Sequence, residues 1–307
     1  MKKNVQFSGI GIHSGVVTNV SVKPSKKKGI FFLRTDLSNA DLIPATWDNV
    51  QNTGLMSTSI GVYPNQVQTI EHFMAALFIC GIDSVIVEID GPEFPILDGG
   101  AKSFIEILQP ITNVKNKIKK IIVKKEIIAT RQEIIKKMPI LKRIALWFHG
   151  LKTGRKEDGF VKLSPGKLGF SMDITLDYPD KIIGVQKTKF VFNETDKART
   201  IFIKTIAKSR TFGRIWEWEY LKKRKMGLGA NENNVIAINE TGDGVLNNLY
   251  FPDEFVRHKL IDALGDFYTS GGMIVGNLKS VKGSHALNNL VLRKLFANPS
   301  NYEIKEE

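Results

Sequence analysis

Two side chains that can share a metal ion stand four residues apart in the last quarter of the sequence. His258 and Asp262 have the i, i+4 spacing that places both on one face of a helix. His72 follows Glu71 within another apolar segment and can supply a second imidazole and a second carboxylate. A catalytic zinc takes three protein ligands and leaves a position for water, whose proton a neighbouring carboxylate removes. These four residues predict hydrolytic chemistry with Zn²⁺ as the cofactor.

The same spacing also has an ordinary interpretation. A histidine and an aspartate one helical turn apart often form a hydrogen-bonded pair on a surface, and taken alone the pair in this chain favours that arrangement. His13 and His149 are interpreted as structural, since the set of ligands is complete without them. The choice between a metal site and a surface pair depends on the motifs that surround it.

Six motifs occur in a fixed order and cover most of the chain. Among them are Thr69-Ile70-Glu71-His72 and Gly283-Ser284-His285. Together they resemble the UDP-3-O-acyl-N-acetylglucosamine deacetylases, the zinc amidases of lipid A synthesis, and the resemblance runs from near the start to about residue 296. The segments are residues 9–15, 67–77, 91–99, 209–213, 253–266 and 283–289.

The resemblance implies a reaction and a role for each polar residue. Zinc held by His72, His258 and Asp262 would activate water with Glu71 as the base, and hydrolysis of an N-acetyl group would release acetate and a free amine. The remaining catalytic assignments are Thr211 for stabilising the oxyanion, His285 for protonating the amine and Asp266 for keeping His285 charged. From the residues alone, Asp266 is equally a carboxylate on a helix surface.

The resemblance also implies contacts for an acylated UDP-sugar substrate. An insert near residues 212–239 is expected to enclose the acyl chain, and Ala230 stands where relatives usually have glycine. The assigned residues are Lys259 and Lys282 for the diphosphate or sugar hydroxyls, Phe212 for the sugar ring, Phe170 for uracil, and Ile215, Trp216 and Leu221 for the acyl passage.

Composition limits the class of protein. The chain has 307 residues, 42% of them hydrophobic, and one cysteine, Cys80, which excludes an intrachain disulfide. We expect a cytoplasmic protein, because the start lacks a signal sequence and no run of eighteen apolar residues could span a bilayer. The expected oligomeric state is a monomer. The net charge of +13 favours anionic partners. Two rival functions stay open: a zinc amidohydrolase for another acylated sugar or nucleotide, and a basic nucleic-acid-binding protein.

Periodicity predicts an α+β fold of two related domains, each a sheet packed against helices, with the active site between them. Helices are expected at residues 67–80 and 253–268, each followed by a strand and a further helix. The strands are predicted at 84–89 and 273–276 and the further helices at 101–108 and 286–296. We place the domains at residues 1–116 and 117–307.

Residues 129–156 depart from the resemblance. Apolar side chains at helical spacing alternate there with Lys136, Lys137, Lys142 and Arg143, which favours a peripheral contact with an anionic membrane face. Pro139 interrupts the pattern, so an enlarged pair of strands packed on the second domain is an equal alternative.

Overall fold

The computed structural model describes residues 4–51, 56–112, 118–140, 143 and 158–306. Within these residues no helix combines the length and the apolar character needed to cross a bilayer. The helices are α1 Glu71–Ile79, α2 Lys102–Leu108, α3 Arg131–Lys137, α4 Asp196–Thr205, α5 Ile215–Lys223, α6 Glu254–Tyr268 and α7 His285–Phe296. The strands are β1 Val5–Ile10, β2 Val17–Pro24, β3 Gly29–Arg34, β4 Ile43–Pro44, β5 Val50–Gln51, β6 Ser59–Val62, β7 Asn65–Val67, β8 Ser84–Ile89, β9 Lys120–Val123, β10 Ile127–Thr130, β11 Phe160–Ser164, β12 Phe170–Asp177, β13 Val185–Phe192, β14 Thr211–Arg214, β15 Val235–Ile238, β16 Met273–Val281 and β17 Tyr302–Lys305.

The first half of the chain forms a five-stranded sheet in the order β1-β2-β8-β3-β4. Strand β8 is parallel to β3, and the other neighbours are antiparallel. Val85, Val87 and Ile89 of β8 alternate with less buried residues, so one face of the strand joins the core. This strand coincides with the predicted one.

The second half repeats the topology of the first. Its sheet has the order β10-β11-β16-β12-β13, with β16 parallel to β12 and the other pairs antiparallel. Strand β9 extends this sheet beside β16 and pairs with β17. In both halves a helix precedes the central strand and another follows it, as the sequence predicted. The fold is α+β, and the two sheets draw their strands from residues 5–89 and 120–305. The predicted boundary near Asn116 lies outside the described residues.

Helices α1 and α6 join the two halves. All nine residues of α1 are buried, which places the helix inside the common core. At Gly265 of α6, a Cβ atom would lie 1.8 Å from the backbone oxygen of Glu71. The two helices therefore approach closely because Gly265 has no side chain, and this contact brings the residues of their adjoining faces together.

The segment that departs from the resemblance is only partly described. Helix α3 begins with a capping box formed by Thr130 and Glu133 and ends before Pro139. Ile134 packs against the core, and the ammonium of Lys294 binds the Glu133 carboxylate. Residues 141, 142 and 144–157, which hold the rest of the predicted membrane contact, lie outside the described residues.

Candidate metal centre and its cavity

The start of α1 places Glu71 and His72 side by side in the first turn. The helix begins at Glu71, so the prediction that it covers residues 67–70 was wrong. Val67 belongs to β7 and pairs with Ile60 of β6. Thr69 has a φ of 61°, which turns the backbone out of the strand before the helix begins.

His258 and Asp262 lie on α6 and meet His72 across the contact between the helices. Asp262 Oδ1 is 3.2 Å from His72 Nε2 and 3.3 Å from His258 Nε2. The two imidazole rings are nearly perpendicular, with centroids 4.9 Å apart. One ligand atom from each of the three side chains lies within 4.8 Å of the other two. The three predicted ligands are thus brought together in one buried cluster.

The protonation of the cluster suits a metal ion. Burial lowers the pKa of His258 to about 3, so its imidazole is neutral. Its Nδ1 lies 3.1 Å from the carbonyl oxygen of Ser209, which can only accept, so Nδ1 carries the hydrogen and Nε2 keeps its lone pair. Burial alone would raise the pKa of Asp262, but His258, Lys259 and His72 hold that pKa well below its usual range.

His72 gives a further sign that the cluster fits a cation. Its Nδ1 is buried and has no hydrogen-bond partner among the described residues, whereas its Nε2 points at the Asp262 carboxylate. Two imidazole nitrogens converging on one carboxylate oxygen are the donor set of a metal site with two histidines and one acid. The residues present therefore fit a divalent metal ion.

The Glu71 carboxylate lies beside the cluster. Its Oε2 accepts a hydrogen bond of 3.0 Å from the backbone N–H of Thr58, and its Oε1 is 3.9 Å from His285 Nε2. Burial raises the pKa of Glu71, although the charge of His285 opposes this shift. A carboxylate with a raised pKa is a stronger base near neutral pH.

His285 begins α7 and faces the cluster from the other side. Its Nδ1 lies 2.8 Å from Asp266 Oδ2, which also accepts a hydrogen bond of 2.8 Å from the Asn288 side chain. The Thr58 hydroxyl donates to the other oxygen of Asp266. Burial alone would lower the pKa of His285, but the charge and hydrogen bond of Asp266 outweigh burial and raise that pKa to about 10. The imidazole is therefore a cation at neutral pH.

Thr58, Ser209 and Asn288 orient the site but were missed in the sequence. Ser209 and Thr58 reach it through backbone groups in part, which no residue pattern reveals. Asn288 had a signal, because it stands three residues after His285 on the same helix.

A cavity of about 570 Å³ opens in front of the cluster. Thr211, Phe212 and Lys259 are among the residues that line it. The Lys259 ammonium is 2.7 Å from Asp262 Oδ2 and 5.2 Å from the centre of the Phe212 ring. On the side of the insert the cavity is lined by Ile215, Trp218, Leu221, Gly227, Ala230, Val235 and Ala237.

Three predicted substrate contacts lie elsewhere. Phe170 is 1% exposed and packs on Phe267 in the core, so its ring cannot stack on uracil. The Lys282 ammonium is outside the cavity lining and binds the carboxylates of Asp158 and Asp177 at 2.7 and 2.9 Å. The assignments of Phe170 to uracil and of Lys282 to the diphosphate or sugar hydroxyls are corrected. The sequence pattern did not show on which side of the chain each of these residues points.

The assignment of Trp216 to the acyl passage is also corrected. Helix α5 turns Trp216 outward, where its side chain is 40% exposed, and turns Trp218 into the cavity. His13 likewise lines the cavity, although the sequence favoured a structural role. Its backbone N–H donates a hydrogen bond of 2.8 Å to the buried Glu93 carboxylate, and this bond holds the segment of residues 9–15 in place. His149 lies outside the described residues.

Comparison with known proteins agrees with the motif order. Residues 1–297 match the model of the family described as UDP-3-O-acyl N-acetylglycosamine deacetylase. A UDP-3-O-acyl-N-acetylglucosamine deacetylase of Shewanella halifaxensis is 35% identical over 99% of this chain and 91% of that protein. Proteins of the same name from Haemophilus influenzae and Shewanella pealeana are 33% and 36% identical, with the same shares covered.

Proposed function

Because the chain belongs to the UDP-3-O-acyl N-acetylglycosamine deacetylase family, we propose that it hydrolyses the N-acetyl group of UDP-3-O-acyl-N-acetylglucosamine in lipid A synthesis. Acetate and a free amine are the products. One observation carries the proposal. The cluster of His72, His258 and Asp262 has a base and an acid, Glu71 and His285, beside it at one end of a cavity whose other end is largely apolar.

Zinc is the ion we propose for the cluster. Two imidazoles and one carboxylate are a frequent ligand set of hydrolytic zinc, which keeps a further position open. When bound, the ion supplies a Lewis acid that makes water more acidic and polarises the amide carbonyl. His258 is ready for this role without a change of protonation, because burial already keeps it neutral.

Glu71 is the general base of the proposed reaction. Its carboxylate receives the proton of the attacking water, and its raised pKa favours that transfer. The hydrogen bond from the Thr58 backbone holds one carboxylate oxygen, so the other oxygen stays directed toward the reacting centre. A fixed base of this kind avoids the cost of orienting itself during the reaction.

His285 is the general acid. Its imidazolium donates a proton from Nε2 to the departing amine, and Asp266 on Nδ1 keeps the ring charged and oriented. Thr211 lines the cavity beside the ligands, and its hydroxyl stabilises the oxyanion as the carbonyl oxygen gains charge. The acid and the base lie 3.9 Å apart across the space in front of Asp262.

The substrate would lie with its sugar near Phe212 and its acyl chain in the insert. Lys259 is the cation we assign to the diphosphate or to sugar hydroxyls, because it lines the cavity next to the Phe212 ring. We propose cytoplasmic action, with peripheral contact to an anionic membrane through residues 131–151. That contact rests on the basic amphipathic pattern of the segment.

Measurement of acetate release tests the function. The zinc-loaded protein should deacetylate UDP-3-O-acyl-N-acetylglucosamine, and removal of the metal with a chelator should stop the reaction until zinc is restored. N-acetylglucosamine without the acyl and nucleotide groups should be a poor substrate. Equal turnover of that simpler sugar would favour a general amidohydrolase and contradict the proposal.

A further inference from the structure

The inner face of α5 forms one wall of the cavity. Ile215, Trp218 and Leu221 line the cavity from this helix at i, i+3 and i+6, whereas Tyr220 points outward and is 51% exposed. Trp218 is the largest side chain on this wall. The cavity lining also includes three residues with small side chains or none, Gly227, Ala230 and Ala237.

The Trp218 indole is fixed in place at its edge and on its face. Its Nε1–H donates a hydrogen bond of 2.7 Å to the backbone oxygen of Gly227. The Lys222 ammonium lies 3.6 Å from the centre of the Trp218 ring. Movement of the ring would break the hydrogen bond and the contact with the cation, so the indole is a rigid wall.

The backbone conformation of Gly227 and its lack of a side chain leave room for the Trp218 ring. Its φ is 67°, a conformation that favours glycine, and a Cβ atom there would lie 3.0 Å from Trp218 Cδ1. The turn at Gly227 therefore provides both the acceptor and the space for the indole. Because the other lining residues Ala230 and Ala237 are small, the bulky indole takes up space in the cavity that they leave open.

Trp218 lies in the first turn of α5, which follows strand β14 of the insert. Strand β14 runs from Thr211 to Arg214 and spans about 10 Å of extended chain before α5 begins. The Arg214 guanidinium at its end binds Asp180 at 2.7 Å and Glu217 at 2.8 Å. The charges of Arg214 and Glu217, which also line the cavity, are thus paired, and Ile215, Trp218 and Leu221 present apolar surface suited to an alkyl chain.

We infer that Trp218 limits the length of the acyl chain that the enzyme accepts. The inference rests on the proposed function and adds to it a residue that determines specificity. A chain that extends to the indole gains apolar contact with the ring, and additional methylene groups must leave the cavity or displace the ring. Discrimination by length then follows from the lost burial of those methylenes.

The test compares kcat/KM for two substrates that differ only in the length of the acyl chain, by about four methylene groups. In Trp218→Ala, the ratio of kcat/KM for the longer substrate to that for the shorter should rise roughly tenfold relative to the wild type. Trp218→Phe retains a ring but loses the hydrogen bond to Gly227. Its ratio should lie between that of the wild type and that of Trp218→Ala. Tyr220→Ala removes an aromatic ring from the outer face of the same helix and should leave the ratio unchanged.

The outcomes separate this inference from the proposed function. If zinc-loaded wild type deacetylates neither substrate, the proposed function fails. If the wild type is active and the ratio is the same in the wild type and Trp218→Ala, only the role of Trp218 is overturned. Should Trp218→Ala not fold, as judged by circular dichroism, the ratio in Trp218→Phe decides the matter, and a ratio equal to that of the wild type overturns the inference.

Discussion

The two ends of the cavity are built in different ways. At the metal end, the three candidate ligands come from α1 and α6, whose backbones approach closely at Glu71 and Gly265 inside the core. At the insert end, the wall comes from α5, a helix with no fully buried residue. This helix is held by the hydrogen bond from Trp218 to Gly227 and by the ion pairs of Arg214. The candidate metal cluster is thus part of the core, whereas the wall formed by α5 lies nearer the surface.

The difference assigns separate tasks to the two ends. Groups at the metal end are fixed by the packing that also stabilises the fold, so changes there should affect rate and stability together. Side chains of the insert can vary without disturbing the core, so changes there should affect which substrate is accepted. The predictions below test this division, from the largest expected effect on catalysis to the smallest.

Glu71→Gln should reduce kcat about 1,000-fold and leave zinc bound, because the amide cannot accept the proton of water and the carboxylate is not a ligand. Steady-state kinetics and metal analysis of the same preparation check this. Glu88→Gln is the matched control, since Glu88 binds Lys23 on the sheet away from the cavity. Near-normal turnover by Glu71→Gln would show that Glu71 is not the general base.

Thr211→Val should reduce kcat about 100-fold with little change in KM, because the lost hydroxyl acts on the oxyanion in the transition state. Thr205→Val is its control. The Thr205 hydroxyl donates to the backbone oxygen of Ile201 on the exposed side of α4, so its removal should leave kcat unaltered. An effect on KM alone would assign Thr211 to substrate binding.

Gly265→Ala should lower the free energy of unfolding by about 3 kcal/mol, because the new methyl group cannot fit against the Glu71 backbone. Turnover per folded molecule should fall about tenfold as the ligands separate. Denaturant titration and kinetics measure the two effects. Gly213→Ala is the control for the loss of stability alone, since a Cβ atom there meets nothing within 4 Å but Gly213 lines the cavity. Equal stability of both variants would contradict the claim that core packing sets the metal end.

The predicted membrane contact concerns neither end of the cavity. A variant with four glutamines in segment 131–151 should bind anionic vesicles more weakly in co-sedimentation yet retain turnover of dispersed substrate. A variant with glutamine at Lys26, Lys27 and Lys28 controls for loss of charge. Equal vesicle binding by all three proteins, or none, would leave the segment with a structural role. The changed residues are Lys136, Lys137, Lys142 and Arg143.

The sequence predicted the metal end more accurately than the insert. His258 and Asp262 have a spacing that a helix converts into proximity, and Asp266 continues the same face. Their contact with His72 depends on packing between two helices that are far apart in the sequence. The spacing of residues within one segment cannot show that packing. The resemblance supplied that link, and the structure shows the glycine that permits it.

The errors have a common physical cause. Residues 216 and 218 lie about 200° apart on a helix, so the phase set by the start of α5 decides which tryptophan faces the cavity. The side of a strand on which Phe170 points is likewise fixed by sheet pairing, which the local pattern left open. The left-handed backbone conformation of Thr69 places the start of α1 at Glu71, although Val67 and Ile70 fit an apolar helical pattern.

Metal analysis of alanine variants tests the central claim most directly. If His72, His258 and Asp262 hold one ion, the wild type should contain about one equivalent of zinc. His258→Ala and Asp262→Ala should each lose most of the metal under the same conditions, while Glu71→Gln retains it. Full zinc occupancy in both alanine variants would show that the metal is bound elsewhere and would contradict the site described here.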